Sequence, residues 1–313
     1  MRDEISTDSI LIVGTGAVAS LFAARLSASG TDVTMLGSWQ QGLSALRERG
    51  VRLVEADGSE HTYPVRVTSD PQSCAGTRYA LVLVKSWGTA RAAQQLVRCL
   101  SGDGLALTLQ NGLGNLETLV GKLGADRVAL GVTTYGANLI EPGRVRSAGE
   151  GTITLSRTAG IESLAGVLQQ AGFQVEFTAD PSGLIWGKLV VNAAINPLTA
   201  LLEVPNGALL ELPTTRDLMG AVAWETATVA EAQGIHLPYT DPALVIEQVA
   251  RRTAANRSSM LQDITRGTPT EIDAINGAIV RAADRNNVPA PVNRTLRQLV
   301  KAKEHSRAER QMD

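Results

Sequence analysis

The sequence predicts an α/β protein whose first part is a doubly wound, mostly parallel sheet and whose second part is an all-α domain. Up to residue 180, short aliphatic runs of strand length alternate with helical segments of about a dozen residues. A glycine-rich turn joins the first of these strands to its helix. Beyond Asp180-Pro-Ser-Gly183 the alternation stops, and from residue 184 to 301 helical periodicity with proline and glycine punctuation takes over. The expected domains are therefore 1–180 and 181–313.

Ile10-Leu-Ile-Val13 is the first strand, Gly14-Thr15-Gly16-Ala17-Val18-Ala19 the turn, 20–29 a helix and Asp32-Val-Thr-Met-Leu36 the second strand. Gly14 permits the tight turn, and Gly16 lets the backbone approach a pyrophosphate lying at the positive end of the helix. Ala19 replaces a third glycine and still keeps helix close to strand. In this strand-to-helix setting the pattern is the dinucleotide turn of a Rossmann-type domain. An Asp or Glu that reads a ribose 2′-hydroxyl belongs near the end of the second strand. Gly37, Ser38 and Trp39 stand there instead, with no carboxylate to repel a 2′-phosphate and no arginine to grip one. The expectation tilts to NADP, with Lys85, after the buried-looking strand 79–84, as the positive charge near the same crevice.

Further strands are expected at 105–109, 128–133, 152–155 and 174–177, further helices at 88–99, 113–123 and 161–171, and a hairpin at Glu141-Pro-Gly-Arg144. The strand at 105–109 leads into Gln110-Asn111-Gly-Leu-Gly114. Ligands of open parallel sheets sit beyond the carboxyl ends of strands, so Asn111 is placed to touch nicotinamide or substrate.

A chain of 313 residues with 44% hydrophobic content exceeds one typical domain and can bury a sizeable core. Net charge is only −2, and no basic stripe interleaves with aromatics, which argues against a nucleic-acid partner. No apolar run approaches the roughly 20 residues of a membrane span, and the opening Met-Arg-Asp-Glu-Ile-Ser lacks a signal-peptide core. The expected protein is cytoplasmic, with a small molecule as partner; a homodimer is compatible with apolar helical faces in the second domain. Cys74 and Cys99 read as packing residues, and His61, His236 and His305 have no ligand spacing, so no metal is expected.

The most informative stretch is Trp186-Gly-Lys188-Leu-Val-Val-Asn192-Ala-Ala-Ile-Asn196-Pro-Leu-Thr199. Lys188, Asn192 and Asn196 stand four residues apart, which at about 100° per residue places them within roughly one quarter of a helix circumference. An ammonium beside two amides on an otherwise apolar helix could protonate a carbonyl oxygen and hold the molecule that carries it. A second polar group follows in Asn256-Arg-Ser258-Ser259-Met-Leu-Gln-Asp263 and Thr270-Glu271-Ile-Asp-Ala-Ile-Asn276-Gly277. Taken alone, Ser258 is an ordinary helix-cap residue and Glu271 the start of a helix.

These motifs, together with Lys85-Ser-Trp87 and Pro205-Asn206-Gly207, fall in one order along the chain, and the sequence resembles the ketopantoate reductase (2-dehydropantoate 2-reductase) family from Ile10 to about Lys303. The resemblance implies NADPH-dependent reduction of ketopantoate to pantoate, on the route to pantothenate and coenzyme A. It implies Lys188 as proton donor and Asn192, Asn196, Asn206, Asn256 and Ser259 as substrate contacts, with the Ser258-Ser259 pair suited to a carboxylate. It assigns Asn111 to both cofactor and substrate, Ala137 to a backbone contact with the cofactor, and Glu271 to nicotinamide ribose or substrate as the cleft between the domains closes. Some family members carry an arginine for the 2′-phosphate where this chain has Gly37.

The residues themselves suggest the mechanism. Hydride delivered to C2 of a 2-oxo acid leaves negative charge growing on the carbonyl oxygen, and Lys188 is the only cationic side chain in its motif. Partial burial would lower its pKa and improve it as a donor. Two other readings stay open: a reductase of a different 2-oxo acid or imine, and a catalytically silent NADP-binding protein.

Overall fold

The computed structural model describes residues 9–310. They form two compact units. One holds the described residues up to Gln110 together with Asn115–Pro181; the other holds Asn111–Gly114 together with the described residues from Ser182 onward.

The first unit contains the strands β1 (Ile10–Val13), β2 (Val33–Leu36), β3 (Val51–Val54), β4 (Glu60–Tyr63), β5 (Arg66–Thr68), β6 (Thr77–Val82), β7 (Leu100–Thr108), β8 (Val128–Thr133), β9 (Ala137–Glu141), β10 (Arg144–Ser147), β11 (Ile153–Ser156) and β12 (Val175–Thr178). Eight of them form one sheet in the order β12-β11-β8-β7-β6-β1-β2-β5, parallel except where β11 runs against β8. Its central strands are aliphatic and buried, as strands covered on both faces must be. Helices α1 (Ala17–Ala28), α2 (Gln40–Arg49), α3 (Thr89–Cys99), α4 (Asn115–Leu123) and α5 (Ile161–Gln170) belong to the same unit. Phe22 of α1 stacks on Phe173 at 4.4 Å and meets Tyr135 edge-on, fixing the helix against the sheet.

A second sheet, β4-β3-β10-β9, was not foreseen beyond its β9–β10 hairpin. β4 is too polar and too exposed to show alternation, and β3 is four residues long. The strand expected at 105–109 begins at Leu100, because Gly102, Asp103 and Gly104 hide its first half. The helix expected from 113 starts at Asn115, since Gly112 and Gly114 carry φ of 81° and 93°.

The second unit is helical: α6 (Pro181–Leu202), α7 (Pro213–Glu231), α8 (Pro242–Arg252), α9 (Ser259–Arg266), α10 (Asn276–Arg285) and α11 (Pro291–Arg310). The solvated helix end expected over 301–313 is the last part of α11, and 311–313 lie outside the described residues. α6 is long and apolar enough to cross a membrane by length and composition, which corrects the expectation of no such run. Its polar face had masked the run, and 67% of its most apolar window is buried inside the protein. It is the core helix of its unit, contributing Trp186, Leu189, Val190, Ala193, Ala194, Ile195 and Leu198 to the interior. Cys74 and Cys99 are both free and both buried in the first unit, Cys99 donating to the Pro71 carbonyl at 3.1 Å. Among the described residues no three His, Cys, Asp or Glu side chains are grouped so as to hold a metal ion.

Candidate functional site

In the first unit the carboxyl ends of β1 and β6 carry the nucleotide residues. The two strands pair in parallel, Val13 opposite Val82, so the Gly14 turn and Lys85 leave the sheet side by side. Gly14 has φ of 135°, and a Cβ there would lie 3.0 Å from the backbone of Leu83. Only glycine fits. Gly16 differs: it is exposed, its backbone is extended, and a Cβ would meet nothing within 4 Å. What the missing side chain leaves is approach to the first turn of α1. That turn has neither a side-chain cap nor an acidic residue, so the N–H groups of Ala17, Val18 and Ala19 point outward as an anion-binding end. The cradle therefore fits a pyrophosphate. Thr15 and Ala19 are buried beneath it.

Gly37 is explained by packing. A Cβ at that position would sit 2.6 Å from Thr15 Cγ2, so neither an acidic 2′-hydroxyl reader nor an arginine fits there while Thr15 keeps its place. Lys85 precedes a short helical turn, Ser86–Gly88, at the end of β6. Gln110 holds this loop, donating from Nε2 to the Val84 carbonyl at 2.9 Å and to Thr89 Oγ1 at 2.8 Å. The roles of Gln110 and Thr89 as supports for the Lys85 loop were missed, although Gln110 opens the Gln110-Asn-Gly motif. Ala137 begins β9 and packs on the core that α1 buries.

The other residues lie in the second unit. α6 is one continuous helix through Lys188, Asn192 and Asn196, so they do share a face; Lys188 and Asn192 are partly buried and Asn196 is buried. The turn before Lys188 is pinned. A Cβ on Gly187 would come within 3.0 Å of the Pro238 ring, and Tyr239 donates its hydroxyl to the Gly187 carbonyl at 2.9 Å. Burial disfavours the charged ammonium and pulls the Lys188 pKa down to about 8, while the Glu271 carboxylate acts in the opposite direction.

Glu271 is buried and lies in a turn, its carbonyl accepting from the N–H groups of Ala274 and Ile275; the helix it was taken to begin starts only at Asn276. The Asn111 segment packs on that same turn. Leu113 N–H donates to the Ala274 carbonyl at 2.9 Å, and a Cβ on Gly112 would lie 2.5 Å from that oxygen. Glycine at 112 is what lets Asn111 and the Glu271 turn belong to one unit.

Asn206 and Asn256 are brought together by backbone bonds, Asn206 N–H to the Asn256 carbonyl and Gly207 N–H to the Ala254 carbonyl, both 3.0 Å. Asn206 is buried; its Nδ2 donates to Thr253, and its Oδ1 has no partner among the described residues. Asn256 is exposed. Ser258 is the N-cap of α9, accepting from Leu261 N–H and from Thr199 Oγ1, and so serves the helix; Ser259, its first helical residue, is partly exposed.

A family model described as ketopantoate reductase PanE/ApbA matches residues 10–160, and its C-terminal counterpart matches 181–304. A 2-dehydropantoate 2-reductase of Halobacterium salinarum is 39% identical over 300 residues, 93% of this chain and 97% of the relative, and that of Archaeoglobus fulgidus is also 39% identical, over 94% of this chain and 97% of the relative. Among solved structures, a PanE/ApbA family ketopantoate reductase from Ralstonia eutropha superposes with a TM-score of 0.88 at 34% identity, covering 95% of this chain and 99% of that one. A D-mandelate dehydrogenase, solved with NADH and anilino(oxo)acetate, has a TM-score of 0.90 at 26% identity with the same coverage. The glycine cradle at the end of β1, the lysine and asparagine face of α6, and similarity along nearly the whole length lead to one conclusion: the chain belongs to the ketopantoate reductase PanE/ApbA family.

Proposed function

We propose that the protein is a cytoplasmic reductase converting ketopantoate to pantoate with NADPH. The observation that carries this reading is Lys188, a lysine with its pKa drawn down to about 8, on a helix face it shares with Asn192 and Asn196. A donor that titrates near neutrality suits proton transfer to a developing alkoxide.

Gly14, Thr15, Gly16, Ala17, Val18 and Ala19 would hold the pyrophosphate, Lys85 the 2′-phosphate, and Asn111, Ala137 and Glu271 the nicotinamide half. Bound there, a reduced nicotinamide nucleotide supplies hydride to C2 of the oxo acid. Lys188 Nζ hydrogen-bonds the C2 carbonyl oxygen and passes it a proton as negative charge builds. Asn192 and Asn196 orient the ammonium and the substrate hydroxyl. Asn206, Asn256 and Ser259 receive the hydroxyl and carboxylate ends, an assignment supported by the unmatched Asn206 Oδ1. Glu271 opposes the loss of charge that burial imposes on Lys188. The burial of α6, the membrane-length helix among the described residues, fits a core helix and not a membrane span.

The test is NADPH oxidation followed at 340 nm with ketopantoate, wild type beside Lys188→Ala. Turnover that disappears in the variant supports the reading; a wild type inert with ketopantoate overturns it. The similarity to a D-mandelate dehydrogenase solved with NADH, and the lack of an arginine at Gly37, favour a second reading, NADH-linked reduction of another 2-oxo acid. A higher kcat/KM with NADH and a bulkier oxo acid in the same assay would select it.

A further inference from the structure

α6 runs unbroken from Pro181 to Leu202 although Pro197 lies inside it. A proline has no N–H to offer the carbonyl four residues earlier, and its ring crowds that carbonyl. Ala193 O thereby loses the i+4 donor that a regular helix would give it. A donor comes from another helix: Asn276 Nδ2, at the first residue of α10, donates to Ala193 O at 3.1 Å. Ala193 and Asn276 are both fully buried, where solvent cannot take over the bond and an unpaired carbonyl is costly.

The same Nδ2 also donates to Asn293 Oδ1 at 3.0 Å, and Asn293 Nδ2 donates to Glu225 Oε2 at 2.9 Å. Glu225 in turn accepts the N–H groups of Val292 and Asn293 in the first turn of α11. One line of hydrogen bonds thus crosses α6, α10, α11 and α7. Its sense is fixed at both ends, because the Ala193 carbonyl and the Glu225 carboxylate only accept. Asn276 Oδ1 is left without a partner among the described residues, so this amide is kept for what it donates.

The break falls within the polar face. Asn192 directly precedes Ala193, and Asn196 directly precedes Pro197. We infer that Asn276 is a positioning residue: by serving the carbonyl that Pro197 leaves open, it sets the course of α6 between Asn192 and Asn196 and so aims both amides at the oxo acid. The aim at the oxo acid rests on the proposed reduction; the link between Asn276 and Pro197 does not.

A double-mutant cycle tests it with wild type, Asn276→Ala, Pro197→Ala and the double variant, each measured for kcat, KM for ketopantoate, KM for NADPH and urea midpoint. Pro197→Ala restores a backbone N–H for Ala193. Asn276→Ala is expected to raise KM for ketopantoate on the order of 10-fold, with KM for NADPH unchanged, and to lower the urea midpoint. In the Pro197→Ala background the same change is expected to cost at least several-fold less on both measures. Equal losses in the two backgrounds, or a wild-type KM in Asn276→Ala, would overturn the inference. If Asn276→Ala does not fold, recovery of a folded double variant supports the inference and its failure overturns it. The urea cycle needs no substrate, so coupling without ketopantoate turnover would sink the functional reading alone, and turnover without coupling would sink this inference alone.

Discussion

Thr199 donates its hydroxyl to Ser258 Oγ at 2.7 Å, joining the end of α6 to the cap of α9. Of two adjacent serines, then, one caps a helix and the other, partly exposed, is the one the proposed function gives to the substrate. Ser258→Ala is expected to cost about 1 kcal/mol of stability, seen in urea denaturation. Ser259→Ala should leave the melt within about 0.5 kcal/mol of wild type while raising KM for the oxo acid. The reverse pattern would exchange their roles.

Lys188→Ala should lower kcat on the order of 10²-fold or more, by analogy with general-acid magnitudes. Nucleotide affinity, measured by fluorescence titration with NADPH, should stay near that of wild type. The apolar Lys188→Met removes an ammonium that burial has already pushed from 10.5 to about 8. It should be inactive yet more stable, on the order of 1–3 kcal/mol at pH 7.

The same lysine sets a pH signature. With Lys188 as the proposed proton donor, reduction draws on the ammonium, so kcat/KM for ketopantoate should be flat below pH 8 and fall about tenfold per unit above it. Oxidation of pantoate needs the neutral amine and should rise through the same pH. Because the folded value of about 8 lies below the ordinary 10.5, the folded state gives up its proton first. The lysine therefore weighs most against folding below pH 8, and stability should recover between 8 and 10.5. Lys188→Met should lack both the catalytic limb and this recovery.

Two glycines two residues apart in one turn should fail differently. Gly14→Ala combines φ of 135° with contact on the Leu83 backbone, and should cost about 1–3 kcal/mol of stability. Gly16→Ala has open space around it. It should melt with wild type but bind NADPH on the order of tenfold more weakly, a difference of about 1.4 kcal/mol.

For the 2′-phosphate the exposed neighbour of Gly37 is the place to intervene. Ser38→Arg should raise the NADPH-to-NADH ratio of kcat/KM, whereas Gly37→Arg must displace the buried Thr15 side chain and should lower the melting temperature instead.

Much of this architecture was legible because its periods are strong. The buried aliphatic run of β1, the glycine turn after it, and the four-residue spacing of Lys188, Asn192 and Asn196 each follow from local geometry. The second sheet was hidden because β3 and β4 are short and β4 faces outward, so neither period shows. Glu271 was taken as a possible helix start because an acid before an apolar run looks like one; the turn closed by Ala274 and Ile275 depends on partners distant in sequence. Asn206, Asn256 and the serines were legible only by resemblance, since the bonds that gather them, backbone for the asparagines and Thr199 to Ser258 for the serines, join residues roughly fifty to sixty positions apart. Asn276 shows the same limit: nothing in its own segment marks it as the answer to a proline on another helix.

α6 supplies both the apolar spine of the helical unit and the face bearing Lys188. On the proposed function, mutational drift there should be penalised twice, once through folding and once through turnover, which leaves little room for adaptation along those 22 residues. New substrate preferences should therefore emerge first in the loop around the exposed Asn256, where a changed side chain can reshape recognition without unseating the scaffold.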